Sequence, residues 1–187
     1  MRAFLAVPIG GGETLRRLRE GLGRLEGIRG LRPVPSHQLH FTLKFFEELP
    51  ADGVAAAKEA AARAAASAAP FSLELAGLGV FPPRGPARVL WVACKGGGGA
   101  LVSLASAVER EFTLAGFPPE ARPFSPHLTL ARAKDPGAGR RASDFATGNP
   151  DFEGGVLRVT ELVLFGSVLG PSGAIHTPLS RFPLAGS

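Results

Sequence analysis

Apolar and polar positions along this chain fall into a pattern of segments that occurs twice. Arg2-Ala-Phe-Leu-Ala-Val-Pro8 is a short apolar run closed off by Gly10-Gly11-Gly12, which predicts a strand. From Glu13 to Leu25 the apolar residues Leu15, Leu18, Leu22 and Leu25 recur at three- and four-residue spacing, which predicts a helix with one buried face. A second strand follows at His40-Phe41-Thr42-Leu43, where polar and apolar residues alternate. The same order then returns. Arg88 to Cys94 predicts a strand, Ala100 to Ala115 predicts a helix through Leu101, Leu104, Val108 and Phe112, and His127-Leu128-Thr129-Leu130 predicts another alternating strand. The distance along the chain from Phe4 to His40 nearly equals that from Leu90 to His127. Strand-like runs follow each half, Phe71 to Phe81 after the first and Val156 to Leu169 after the second. The expectation is one bilobal domain over residues 1–187, an internal duplication with halves of about 1–87 and 88–187.

Between these segments the composition suggests scaffolding. Ala51 to Ala69 is largely alanine and predicts a helix without chemistry of its own. Gly96 to Gly99 lacks the Lys-Ser/Thr ending of a phosphate-binding loop and reads as a flexible turn into the following helix. Pro82 to Pro86 reads as a loop. Ala133 to Asn149, rich in Lys, Arg, Gly and Asp, reads as the longest loop and is expected to form a mobile basic lip beside the second alternating strand.

At 187 residues the chain is long enough for one well-buried core. Its single cysteine, Cys94, excludes an intrachain disulfide and suits a reducing compartment as a small buried hydrophobe. No apolar run reaches the length of a membrane span, and Phe4 to Ile9 is too short for a secretion signal, so a soluble cytoplasmic protein is expected, a monomer by default. Lys and Arg outnumber Asp and Glu by 21 to 16, a formal net charge of +5 that favours a polyanionic partner such as RNA or a nucleotide.

The candidate chemistry lies in the two alternating strands. In each, the histidine and threonine project from one face and the two apolar residues from the other, so two of the four histidines share one pattern. Two imidazoles without an acidic cluster suit phosphodiester cleavage by a paired acid and base. One imidazole takes a proton from the attacking water and the other gives one to the departing oxygen, both being feasible near the imidazole pKa of about 6.5. Thr42 and Thr129 can donate hydrogen bonds to the phosphate oxygens. Such a site calls for no metal and no cofactor.

The two motifs with their flanks, Pro35-Ser-His-Gln-Leu-His-Phe-Thr-Leu-Lys-Phe45 and Phe124-Ser-Pro-His-Leu-Thr-Leu-Ala-Arg132, resemble the 2H phosphoesterase superfamily. Within it the chain is most similar to the RNA 2′,3′-cyclic phosphodiesterases, also called 2′-5′ RNA ligases. The likeness extends to the opening strand, Gly77-Leu-Gly-Val-Phe-Pro82, Val89-Leu-Trp91 and Phe182-Pro-Leu184. It implies an α+β fold of two pseudo-symmetric lobes, each an antiparallel sheet backed by helices, with a central cleft. It also implies opening of an RNA 2′,3′-cyclic phosphate to a 2′-phosphate, with His40 as proton donor, His127 as proton acceptor, and Thr42, Thr129 and Arg132 on the phosphate. The reverse reaction, with a ribose hydroxyl in place of water, would give a 2′-5′ linkage. Departures from the family pattern are Phe45-Phe46-Glu47-Glu48, where a glycine is often found, and His176, where an aromatic such as tyrosine is common.

The remaining candidates are weaker. Phe46, Phe124 and Trp91 could stack a base, although aromatic residues in strands belong to cores more often than not. His37 and His176 repeat nothing and are read as structural. Rival readings are a 2H enzyme acting on a small cyclic phosphate, either ADP-ribose 1″,2″-cyclic phosphate or a cyclic nucleotide, and a non-catalytic RNA- or nucleotide-binding module. A metal hydrolase is disfavoured by the lack of a His-Glu-x-x-His motif or aspartate cluster.

Overall fold

The structure, a computed structural model, describes residues 1–170 and 173–185. The elements in chain order are β1 (Arg2–Pro8), α1 (Glu13–Glu26), β2 (Leu31–Pro33), a 3-10 turn (Ser36–Gln38), β3 (His40–Phe46), α2 (Gly53–Ala66), β4 (Phe71–Phe81), β5 (Val89–Gly96), α3 (Gly98–Leu114), β6 (His127–Ala133), α4 (Pro136–Thr147), β7 (Glu153–Val159), β8 (Glu161–Gly170) and β9 (Gly173–Pro183). The strands form two sheets, one of order β3-β1-β8-β9 and one of order β2-β6-β5-β4-β7. Every pairing is antiparallel. The α+β class and the two-lobed arrangement implied by the resemblance are therefore observed.

The lobes and the halves of the chain are different divisions. The first sheet takes β1 and β3 from the N-terminal part and β8 and β9 from the C-terminal part, while the second takes β2 and β4 from the former and β5 to β7 from the latter. The helices cross as well. α1 leaves the first sheet and packs on β7 and β2 of the second, whereas α3 leaves the second sheet and packs on α2 and on β3 of the first. Each lobe is thus completed by chain from the other half, and one continuous apolar core runs through both.

The two histidine strands share an irregularity. Along β3 the partners on β1 run Leu5 with Lys44 and then Ala6 with Thr42, so Leu43 is an extra residue. Along β6 the partners on β5 run Leu90 with Ala131 and then Trp91 with Thr129, so Leu130 is the extra residue at the same motif position. Each is a β-bulge, two residues opposing one, and it resets the alternation of side chains beyond it. Leu43 and Lys44 are consecutively buried, as are Leu130 and Ala131.

The bulge places Lys44 in the interior, 2% exposed. Its Nζ donates to Glu109 Oε2 at 2.9 Å and to the Pro118 carbonyl at 2.7 Å, while Glu109 Oε1 accepts the Glu120 backbone N–H at 2.7 Å. A buried ammonium needs such partners, because an unpaired charge in the interior is costly. The network binds β3 to α3 and to the segment that leads into His127.

One expectation is corrected. Ala133 to Asn149 is not a loop, since Pro136–Thr147 is helical. Asp135 caps α4 by accepting the Ala138 N–H at 2.8 Å, Pro136 occupies the first turn, and Ala138 and Ala142 are buried. One of the glycines that suggest a loop serves packing. A Cβ on Gly139 would lie 2.2 Å from the Ala87 carbonyl oxygen, so the helix can approach the segment leading into β5 there only with glycine.

Replacing Lys44 by methionine should lower stability in urea denaturation by about 2 to 4 kcal/mol, because Glu109 and the Pro118 carbonyl lose their common partner. The double variant Lys44→Met/Glu109→Leu should recover part of this loss. Single and double variants of equal stability would contradict the pairing.

Candidate active site

The bulges decide which side chains meet in the cleft between the lobes. On β3, His40, Thr42 and Phe45 share the cleft face, and on β6, His127, Thr129 and Arg132 share it. Strict alternation would have turned Arg132 away from His127. β3 and β6 approach each other where the lobes meet, and all six side chains line one cavity of about 670 Å³. His40, His127, Thr42, Thr129 and Arg132 are therefore brought together.

The imidazoles are held alike. His40 Nδ1 lies 2.6 Å from the Gln38 carbonyl oxygen and His127 Nδ1 lies 2.8 Å from the Ser125 carbonyl oxygen, each two residues upstream. A carbonyl only accepts, so Nδ1 carries the proton in both rings, which leaves each Nε2 with a lone pair when neutral and a donor when charged.

Their surroundings differ. His40 stacks on Phe4 with centroids 4.6 Å apart and faces His176 edge-on at 5.7 Å. Burial lowers its pKa to about 4, opposed by the Gln38 carbonyl and reinforced by the charges of His176 and Arg132. His127 meets Phe81 edge-on at 5.1 Å and Trp91 at 6.3 Å. The indole lies across Gly79, where a Cβ would fall 2.2 Å from the Trp91 ring, so glycine at this position lets Trp91 and Phe81 stack at 5.0 Å beside His127.

The aromatic candidates separate. Phe46, expected to stack a base, is buried between Phe112 and Phe117 at centroid distances of 5.4 and 5.5 Å, because the bulge turns it onto the core face and exposes Phe45 instead. Phe124 is half-buried and lines a second, neighbouring cavity rather than this cleft. Trp91 supports His127 from beneath, its Nε1 buried without a partner among the described residues.

Side chains that sequence reasoning set aside also reach the cleft. His176 on β9 sits beside Phe4 at 4.8 Å, and its Nδ1 is buried without a partner among the described residues. Burial, with the nearby His37, lowers the pKa of His176. His37, Arg2 and Arg32 line the same cavity. Nothing local marks them, since His176 arrives through the pairing of β9 with β8, where it stands opposite Ser167. Cys94 is partly buried, and burial raises its thiol to about 11, which makes it unreactive near neutral pH. Among the described residues no three His, Cys, Asp or Glu side chains gather as a metal-ligating group, and no helix is long and apolar enough to cross a membrane.

Two antiparallel lobes that each offer a His-x-Thr pair to a shared cleft define the 2H phosphoesterase class. Residues 4–168 match the model of the 2′-5′ RNA ligase superfamily, and the chain belongs to that family. It is 31% identical to the RNA 2′,3′-cyclic phosphodiesterase of Methanothermobacter thermautotrophicus, over 98% of this chain and 99% of the relative. It is 34% identical to the protein of the same name from Aeropyrum pernix, over 92% and 96% of the two chains. Among solved structures, Escherichia coli LigT complexed with 3′-AMP superposes with a TM-score of 0.78 at 27% identity, over 98% of this chain and 97% of that one.

The lowered pKa of His40 has a consequence for stability. The unfolded chain takes up a proton at this imidazole below about 6.5, whereas the folded chain does so only near 4, so this contribution is present above 6.5 and is lost as pH falls from 6.5 toward 4. The full amount is about 3 kcal/mol. Urea titrations of wild type and His40→Asn across this window should show a steeper loss in the wild type. Parallel curves would mean that His40 is not held neutral.

Proposed function

We propose that the protein hydrolyses RNA 2′,3′-cyclic phosphate ends to 2′-phosphomonoesters, without a metal, by the joint action of His40 and His127. The observation that carries this reading is the matched pair of imidazoles, each anchored through Nδ1 to a carbonyl so that Nε2 is left for chemistry, and both lining a cleft that also holds Thr42, Thr129 and Arg132. The names of the relatives support the same substrate. Water attacks phosphorus while His127 Nε2 accepts its proton. The bond from phosphorus to O3′ breaks, and His40 Nε2 supplies the proton that O3′ takes up. Thr42, Thr129 and Arg132 stabilise the charge that builds on the non-bridging oxygens.

His40 is neutral in the free protein near pH 7, as its pKa of about 4 requires. The role of acid therefore needs a proton acquired with the substrate. A cyclic phosphate brings a negative charge against Arg132 and His40, and that charge favours the imidazolium. Binding of an anion and protonation of His40 are linked.

A short RNA ending in a 2′,3′-cyclic phosphate, incubated with the protein in excess EDTA, should yield the 2′-phosphate. His40→Ala and His127→Ala should each lower kcat by about 10²- to 10⁴-fold with the fold retained. Thr42→Val and Thr129→Val should each cost about 10²-fold. A 3′-phosphate product, or full turnover without either imidazole, would refute the mechanism.

Sulfate, which does not titrate in the relevant range, tests the linkage. Its affinity should weaken by up to about tenfold per pH unit as pH rises from about 4 toward the raised pKa of the complex. His40→Asn should remove this dependence. An unchanged slope in the variant would place the proton uptake elsewhere.

A further inference from the structure

A second cavity, of about 1530 Å³, opens from the reaction cleft and shares Thr42, Phe45 and His127 with it. It extends over the exposed face of α3 and the segment between α3 and β6. Its volume exceeds the usual range for one small ligand, which the cleft itself already meets. The walls are mostly apolar and include Phe81 and Phe124, with Val102 and Leu114 exposed on α3. Three arginines stand along it. Arg88 and Arg122 form no salt bridge among the described residues, and Arg110 reaches only its neighbour Glu111 at 3.3 Å. Of the two carboxylates present, Glu109 is engaged by Lys44 and Glu120 is exposed.

We propose that this groove holds the single-stranded body of the RNA, the nucleotides that precede the cyclic end, with Arg88, Arg110 and Arg122 on its phosphates and Phe81 and Phe124 beneath its bases. The inference rests on the function proposed above and adds a preference for polymer over mononucleotide. A terminal cyclic phosphate seated between His40 and His127 leaves the rest of its chain to exit the cleft, and the groove begins at His127 itself. Apolar and aromatic walls lined by cations are what a single strand uses, since every nucleotide offers one face to stack and one charge to neutralise. A peptide partner would explain the apolar walls, but not why the groove is continuous with the reacting phosphate.

The experiment compares kcat/KM for a 2′,3′-cyclic mononucleotide and for a five-nucleotide RNA with the same cyclic end, at several salt concentrations. Wild type should prefer the oligonucleotide by about tenfold or more. Arg88→Ala/Arg122→Ala should lose that preference while its mononucleotide turnover stays within about twofold, and its dependence of log kcat/KM on log salt should flatten by about 1.4 for the oligonucleotide alone. Equal rates on both substrates in wild type, or equal losses on both in the variant, would overturn the groove while leaving the function intact. If neither substrate turns over, the function fails instead. Fluorescence anisotropy with a labelled five-nucleotide RNA bearing a 3′-phosphate then decides the groove, weaker binding by the double variant supporting it and equal binding overturning it.

Discussion

One extra residue in each histidine strand governs the arrangement of the site. A strand with perfect alternation would carry His127, Thr129 and Ala131 to the cleft and send Arg132 toward the interior, where an unpaired guanidinium is expensive. The bulge at Leu130 reverses this, burying Ala131 and delivering Arg132 to the cleft face with His127 and Thr129. The bulge at Leu43 does the same for Phe45 and takes Lys44 inside. Because both bulges occur at the same place in the motif, the two strands present matched sets of three side chains, and the third position is where they differ: an aromatic ring in one lobe and a cation in the other.

The second dependence is between the lobes. His40 and His127 stand on different sheets, so their relation is fixed by whatever couples those sheets. The exchange of strands supplies part of this, since β8 and β9 complete the sheet of His40 and β4 completes that of His127. The Lys44 ammonium supplies another part, reaching from β3 to α3 and to the segment preceding β6. The buried cation that the bulge creates is thus answered by groups from the region that carries the opposite histidine. A single local irregularity orients the cleft face and also ties that face to its counterpart.

Much of this was legible in the residues. The His-x-Thr alternation, the amphipathic leucines of α1 and the apolar face of α3 follow from periodicity, and periodicity is a property of neighbours in sequence. The bulges are not, because an inserted residue looks like any other until its cross-strand partners are known. Unbroken alternation puts Phe46 on the cleft face with His40 and Thr42, whereas the bulge gives that place to Phe45. α4 was missed for a related reason. Its Gly137 and Gly139 lower helix propensity, but Gly139 is present because α4 lies against the Ala87 backbone, a contact fixed by tertiary packing. His176 depended on the register of β9 against β8, which no local pattern in the chain encodes.

The electrostatic character of the cleft follows from the same construction. Burial against Phe4 removes His40 from water and is the main reason its charge is disfavoured, and the charges of His176 and Arg132 add to this. With its pKa lowered to about 4, His40 is neutral near pH 7 in the free cleft. Placing cations around a phosphate is good for binding and bad for keeping a neighbouring imidazole protonated, and the two demands meet only when an anion arrives to offset the surrounding positive charge. Anion binding in this cleft and protonation of His40 are therefore linked. His127, packed edge-on to Phe81 and open toward the neighbouring groove, is free of the stacking that desolvates His40. The two motif histidines thus differ in what lies behind each ring, Phe4 for His40 and the edge-on Phe81 and Trp91 for His127.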